Sequence, residues 1–414
     1  MKKIVGVVII AVSIVLGFVL AMQLFPQGQD GEASEAANSE QASDSTSAPE
    51  SEPQKEQPKV DPVQKAVDAM TLDEKIAQML IVDKNNATVS PEEQAQLQTA
   101  PYGGYILMAG AYGTLAQTRA FVEQLQNSAK TPLIITTDQE GGTVQRIQSI
   151  TSPRATKIPN MHYVGQQNDE EYAETIGRVL AEELRAIGIN VDLAPDADVF
   201  SNPNNTVIGR RSFSSNPDTV ANLSAALARG LEQNGVAATY KHFPGHGDTA
   251  VDSHQSLPII NRTREQLDES DLVPFRNAID SGAQFIMVGH IAMLQITGDN
   301  TPATLSYTIT TELLREELGF DGLIMTDGIN MGALTKNYPE AEIYTKAVEA
   351  GADLLLMPQN PQLAMECIKA QIPETRINES VYRIMKFKQE QLADYEYLDA
   401  SYFGSAEHAQ AVAR

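Results

Sequence analysis

Lys241-His242-Phe243-Pro244-Gly245-His246-Gly247-Asp248-Thr249-Ala250-Val251-Asp252-Ser253-His254 holds three of the chain's six histidines, with a lysine and two aspartates, in fourteen residues. Burying such a mixture without partners is costly. Pro244, Gly245 and Gly247 forbid a regular helix across it, so the stretch reads as a loop that presents ionisable groups. The apolar, β-prone run 236–240 precedes it, so the loop starts where a strand ends. Two chemistries fit. One is a metal centre built from His242, His246, Asp252 and His254. The other is a site for binding and proton transfer. The i, i+4 spacing of His242 and His246 suits metal ligation on a helix, and Pro244 breaks that helix, which weighs against the metal.

Four further apolar runs deliver polar groups at the same end. Residues 133–137 lead into Asp138-Gln139-Glu140-Gly141-Gly142, and 190–193 contain Asp192 and lead into Pro195, Asp196 and Asp198. Residues 285–288 lead into Gly289-His290, and 322–325 into Thr326-Asp327-Gly328. Groups placed only for packing would fall at both ends alike. The one-sided pattern describes a polar pocket with carboxylates, which suits a sugar. Glycosyl transfer needs a carboxylate that stabilises or traps the oxocarbenium-like centre, and a proton donor for the leaving oxygen. Asp327, alone after its strand, fits the first role and also fits an N-cap for the next helix. His254, with Asp252 two residues before it, fits the second. In an extended loop, side chains at i and i+2 point the same way. A carboxylate beside an imidazole orients it and favours its charged form.

The elements that must position these groups alternate. Strands are expected at 79–82, 104–108, 133–137, 190–193, 236–240, 285–288, 322–325 and 353–356. Helical patterns occupy 63–80, 115–129, 170–187, 217–234, 264–281 and 340–350. About eight βα units over 61–395 predict an α/β fold, a (β/α)8 TIM-type barrel, whose chemistry collects at the C-terminal ends of the strands. A doubly wound open sheet is the alternative, but no Gly-rich dinucleotide fingerprint follows any strand. Residues 396–414 read as a loose tail.

Ahead of the barrel, Met1-Lys2-Lys3 and nineteen uncharged residues, 4–22, predict a signal peptide or transmembrane signal anchor within 1–26. Residues 27–60 are rich in Ser, Glu, Gln and Pro, carry eight acids against two lysines, and predict a disordered acidic linker. A net charge of −24 makes a poor nucleic-acid binder. Cys367 is the only cysteine, so no internal disulfide forms. The chain has no Trp, which favours a small pocket for one terminal sugar over a long glycan cleft.

Lys-His-Phe-Pro-Gly-His-Gly-Asp-Thr followed by Asp-Ser-His resembles the signature of family 3 glycoside hydrolases, in the branch of bacterial β-N-acetylglucosaminidases. The resemblance covers roughly residues 62–395. It implies that Asp327 is the nucleophile and that Asp252 and His254 form the acid/base dyad. It also implies sugar contacts from Asp138 and Arg146 in Asp138-Gln139-Glu140-Gly141-Gly142-Thr143-Val144-Gln145-Arg146, from Arg211 in Ile208-Gly209-Arg210-Arg211-Ser212-Phe213, and from Lys241 and His242. The implied activity is retaining, exo-acting release of terminal β-linked N-acetylglucosamine from peptidoglycan fragments. The implied protein is an extracytoplasmic monomer with no cofactor and no metal, held at the membrane by its N-terminal segment or secreted. Gly328 stands where the family usually has a larger residue, and His290-Ile291-Ala292 lacks a proline often found shortly after. A β-glucosidase or β-xylosidase of the same family and a metal-dependent barrel hydrolase are the alternatives; Asp252-Ser253-His254 argues against the first.

Overall fold

Eight short parallel strands carry the fold: β1 (Leu80–Lys84), β2 (Gly104–Leu107), β3 (Ile134–Thr137), β4 (Val191–Asp192), β5 (Ala237–Phe243), β6 (Phe285–Val288), β7 (Leu323–Thr326) and β8 (Leu355–Leu356). They come from a computed structural model that describes residues 61–250 and 252–414. The membrane segment and linker expected at 1–60 lie outside the described residues. Among the described residues no helix is long and apolar enough to cross a membrane.

Consecutive strands from β1 to β7 pair in sequence order, and β8 returns to β1 through Leu80 opposite Leu355 and Ile81 opposite Leu356. A parallel bridge from Met325 to Leu354 links β7 to the segment entering β8, with the Thr326 N–H 3.0 Å from the Leu354 carbonyl. The result is a near-closed parallel barrel with helices between its strands, consistent with the (β/α)8 expectation. β2, β3, β6 and β7 are buried at every position, as parallel strands covered on both faces must be. Consecutive residues still separate by face. Ile106, Ile134, Met287 and Met325 belong to one apolar cluster, and Leu107, Ile135, Ile286 and Ile324 to the other.

The structure departs from the sequence expectations at four places. The helix expected over 63–80 is two, Pro62–Asp68 and Leu72–Gln78. Thr71 starts the second with a reciprocal capping box to Glu74, and Leu80 already belongs to β1. The helix expected over 264–281 is also two, Arg264–Glu269 and Val273–Asp280, with Pro274 opening the second. β5 continues to Phe243, so Lys241 and His242 are strand residues and not the start of a loop. The segment 396–414 is not loose. It ends in a helix, Ala406–Ala411, which packs on Glu170–Ala186, buries Phe403 and Val412, and sets His408 between Glu182 and Glu183.

Candidate functional site

The C-terminal ends of the strands surround a cavity of about 320 Å³. That is the low end of the ~300–1,000 Å³ typical of small-ligand sites. Asp138, Arg146, Arg211, Lys241, His242, His254 and Asp327 all line it. Asp252 stands behind His254. Residues from β3, β5 and β7 therefore meet in one place, joined there by Arg211 from a short 3₁₀ turn, Gly209–Arg211, in the loop after β4.

A buried ion network forms one wall. Glu140, 2% exposed, receives the Arg211 guanidinium on both oxygens, with Nε to Oε2 and a terminal nitrogen to Oε1 each at 2.8 Å, and Lys241 Nζ at 2.6 Å. Lys241 also reaches Asp138 at 3.2 Å, and Arg146 closes on the other oxygen of Asp138 at 3.3 Å. Burial alone would raise the Glu140 carboxyl, but Arg211 and Lys241 outweigh it and hold it well below the usual carboxylate range. Burial likewise opposes the charge on Lys241, and Glu140 and Asp138 reverse that and raise the lysine.

A second chain of contacts orients the histidines. His242 Nδ1 lies 2.7 Å from Asp198 Oδ2, and the His246 N–H donates to Asp198 Oδ1 at 2.6 Å. Since a carboxylate only accepts, Nδ1 of His242 carries the proton and Nε2 faces the cavity side, 3.4 Å from Arg211. Burial lowers His242, but Asp198 dominates and leaves it raised. Asp196 lies beside Asp198, and burial, then that neighbouring carboxylate, pushes it up to about 7. His246 bonds Thr249 Oγ1 at 2.8 Å and Ser253 Oγ at 3.3 Å. The four-residue metal set His242, His246, Asp252 and His254 is therefore not assembled. Asp196, Asp198 and His242 are the cluster with ligand-like spacing among the described residues, and Arg211 Nε, 3.4 Å from Asp196, occupies its flank with a cation.

Asp327 follows β7 directly. Its N–H bonds the Val288 carbonyl at 2.9 Å, and its Oδ1 accepts the Gly328 N–H at 2.7 Å. Burial would raise its carboxyl. The rings of His290 and His242, the Gly328 N–H and the Lys241 ammonium more than offset this and bring it down to about 2. His290 is fully buried, and that burial lowers its ring against the opposing pull of Asp327. It holds the segment after Asp327 by donating from Nε2 to the Gly328 carbonyl at 2.9 Å.

The Asp252–His254 pair sits at the solvent side, with the His254 side chain 67% exposed. The expected geometry was an extended loop. Instead, Asp252 Oδ1 accepts both the His254 backbone N–H and ring Nδ1 at 2.9 Å, so a tight Asx-type turn brings the pair together. Burial raises the Asp252 carboxyl, and the two His254 donors overcome this and lower it. The first half of the histidine-rich stretch is fixed. Any side chain on Gly247 would collide with the Val199 carbonyl, and a Cβ on Gly245 would lie 2.7 Å from Asp271 Cβ. Those glycines serve close packing.

Glu140, Asp198 and His290 stood in the strand-end runs without an assigned role. The available signal was the alternation of strand positions, which puts Glu140 two residues beyond Asp138.

Residues 71–387 match the profile of the glycosyl hydrolase family 3 N terminal domain. The chain belongs to glycosyl hydrolase family 3. It is 37% identical over 287 residues to a β-hexosaminidase A of Pseudoalteromonas piscicida, across 66% of this chain and 48% of that one. The chain thus spans about half of that relative's length. A β-hexosaminidase of Nitrosospira multiformis is 34% identical over 291 residues, across 69% of this chain and 81% of that one. Among solved structures, a glycoside hydrolase family 3 β-N-acetylglucosaminidase from Paenibacillus sp. str. FPU-7 superposes with a TM-score of 0.76 at 36% identity, covering 83% of this chain and 68% of that one. The cavity at the strand ends is the candidate site of this family 3 chain.

Proposed function

We propose that this family 3 chain is a retaining, exo-acting β-N-acetylglucosaminidase that works through a glycosyl-enzyme intermediate on Asp327. The observation that carries this reading is how the cavity's acids are committed. Asp138, Glu140 and Asp327 line the cavity. The first two are held by Arg146, Lys241 and Arg211, whereas Asp327 is ionised and forms no ion pair among the described residues. It is the carboxylate free to attack an anomeric carbon. His254 supplies the proton. Its Nδ1 is committed to Asp252, and its Nε2 carries no hydrogen bond among the described residues. Protonated Nε2 gives its proton to the leaving oxygen while Asp252 stabilises the imidazolium. The neutral ring then accepts a proton from the water that attacks the Asp327 ester, and two displacements give net retention. Asp138, Arg146, Arg211, Lys241 and His242 hold the sugar hydroxyls.

The names of the relatives support an acetamido sugar, and the small cavity without Trp supports release of one terminal residue. In this reading the substrates are peptidoglycan fragments, and the protein acts as a monomer outside the cytoplasm, anchored by residues 1–26 or secreted. The test is hydrolysis of aryl β-glycosides of N-acetylglucosamine, glucose and xylose, with and without a chelator. N-Acetylglucosamine should be strongly preferred and the chelator without effect. Preference for glucose or xylose would move the chain to the sibling activity, and loss of activity with chelator would support the metal-dependent alternative.

A further inference from the structure

We propose that Gly332 and Lys336 are positioning residues that set the acid/base turn at a fixed place relative to Asp327; this rests on the acid/base role of His254 argued above. The short helix Gly332–Thr335 has no side-chain N-cap. Its first N–H groups are satisfied by the turn itself. Gly332 N–H donates to the His254 carbonyl at 3.2 Å, and Ala333 N–H to the Ser253 carbonyl at 3.0 Å. Lys336 Nζ adds a bond to the Gln255 carbonyl at 2.6 Å. Three consecutive carbonyls of the turn are thus fastened to one helix.

That helix begins five residues after Asp327, and the intervening segment is pinned. The Gly328 carbonyl is held by His290 at 2.9 Å, Ile329 N–H by the Leu356 carbonyl at 2.9 Å, and Met331 N–H by the Gly328 carbonyl at 3.0 Å. The side chains of the dyad do not locate it by packing, because His254 is 67% and Asp252 34% exposed. Ser253, buried between them, anchors the turn to His246 at 3.3 Å, and the backbone bonds to the helix fix it relative to Asp327. Gly332 permits them: a Cβ there would lie 2.6 Å from the His254 carbonyl oxygen, closer than real contacts allow. Its φ lies outside the left-handed region, so glycine is required for approach rather than for conformation.

The test compares the full chain with Gly332→Ala, Lys336→Met, Lys336→Arg and His254→Ala. kcat/KM is measured on aryl N-acetyl-β-glucosaminides from dinitrophenyl, which leaves unprotonated, to phenyl, which needs an acid. Gly332→Ala and Lys336→Met should lose about tenfold on phenyl and under about twofold on dinitrophenyl, a milder form of the His254→Ala pattern. Lys336→Arg should stay near wild type. Lys336 is exposed, so its variants test the idea even if Gly332→Ala misfolds. Equal losses on both substrates, or none on either, beside a normal His254→Ala pattern would overturn the positioning role alone. An His254→Ala variant without leaving-group dependence would overturn the acid/base reading, and this inference with it.

Discussion

Glu140→Gln removes one negative charge from a site where two cations meet, and its effect can be worked from the geometry. Glu140 is 2% exposed and bonds Arg211 twice at 2.8 Å and Lys241 at 2.6 Å. The glutamine keeps the shape but leaves Arg211 and Lys241 without their shared counter-charge. Asp138, 3.2 Å from Lys241, and Asp196, 3.4 Å from Arg211, compensate only in part. Breaking a buried ion pair by removing one partner costs about 3–5 kcal/mol. Unfolding entropy of about 2.1 cal/mol/K per residue over roughly 350 residues gives about 0.7 kcal/mol/K, so the melting temperature should fall by about 4–7 °C. The sign with pH also follows. The folded-state carboxyl of Glu140 is depressed, so its contribution is fully present above the unfolded value of about 4.3 and fades as pH falls below it. Thermal melts of both proteins at pH 7 and near pH 3.5 test this, alongside KM at pH 7. The gap should narrow in acid, and KM should rise because Lys241 and Arg211 lose their positions. A variant that melts within about 1 °C of wild type at pH 7 with unchanged KM would refute the reasoning.

Two further expectations concern ionisable groups away from the cavity. Lys388 is buried against the Gln78 side-chain oxygen at 2.6 Å and the Gly103 carbonyl at 2.8 Å, and burial pushes it down to about 7. Between that value and the unfolded value of about 10.4, the unfolded chain binds a proton that the native lysine lacks. Wild-type stability should therefore rise with pH by up to about 1.4 kcal/mol per unit above pH 7. Urea titrations at pH 7 and 9 should show that slope in wild type and lose it in Lys388→Met. His408, between Glu182 at 2.6 Å and Glu183 at 3.3 Å, is lowered by burial but raised overall by those two carboxylates. Its contribution is complete below the unfolded value and is lost as pH rises through the folded one. His408→Gln should thus be destabilised most at pH 6, with a melting gap that closes by pH 9; a constant gap would remove the charge from the explanation.

The barrel was legible because its strands begin as apolar, β-prone runs and five of them deliver polar groups at the same end. All eight expected strands are present, displaced by one to three residues at most of their ends. Asp138, Lys241, His242 and Asp327 could be read as one group because strand ends converge in this architecture, whereas Arg146 and Arg211 were expected only from the family resemblance. The partners of Glu140 could not, since Arg211 lies 71 residues further along the chain and only the pairing of β3 with β4 brings the two loops together. The Asp252–His254 pair was visible from spacing, but its turn depends on backbone hydrogen bonds that spacing does not encode. The two split helices hid behind continuous periodicity, where the capping box at Thr71 and Pro274 were the deciding signals. The folded tail was masked by polar composition, with Phe403 and Val412 too far apart to mark a helix.

Asp327 as the nucleophile is central to the proposed mechanism. A fluorinated N-acetylglucosaminyl fluoride whose deglycosylation is slow should trap the intermediate. Intact mass should then rise by one glycosyl unit, and peptide mapping should place that unit on Asp327. A stable label on Asp138, Glu140 or any other residue, or an active protein that never acquires one, would contradict the account.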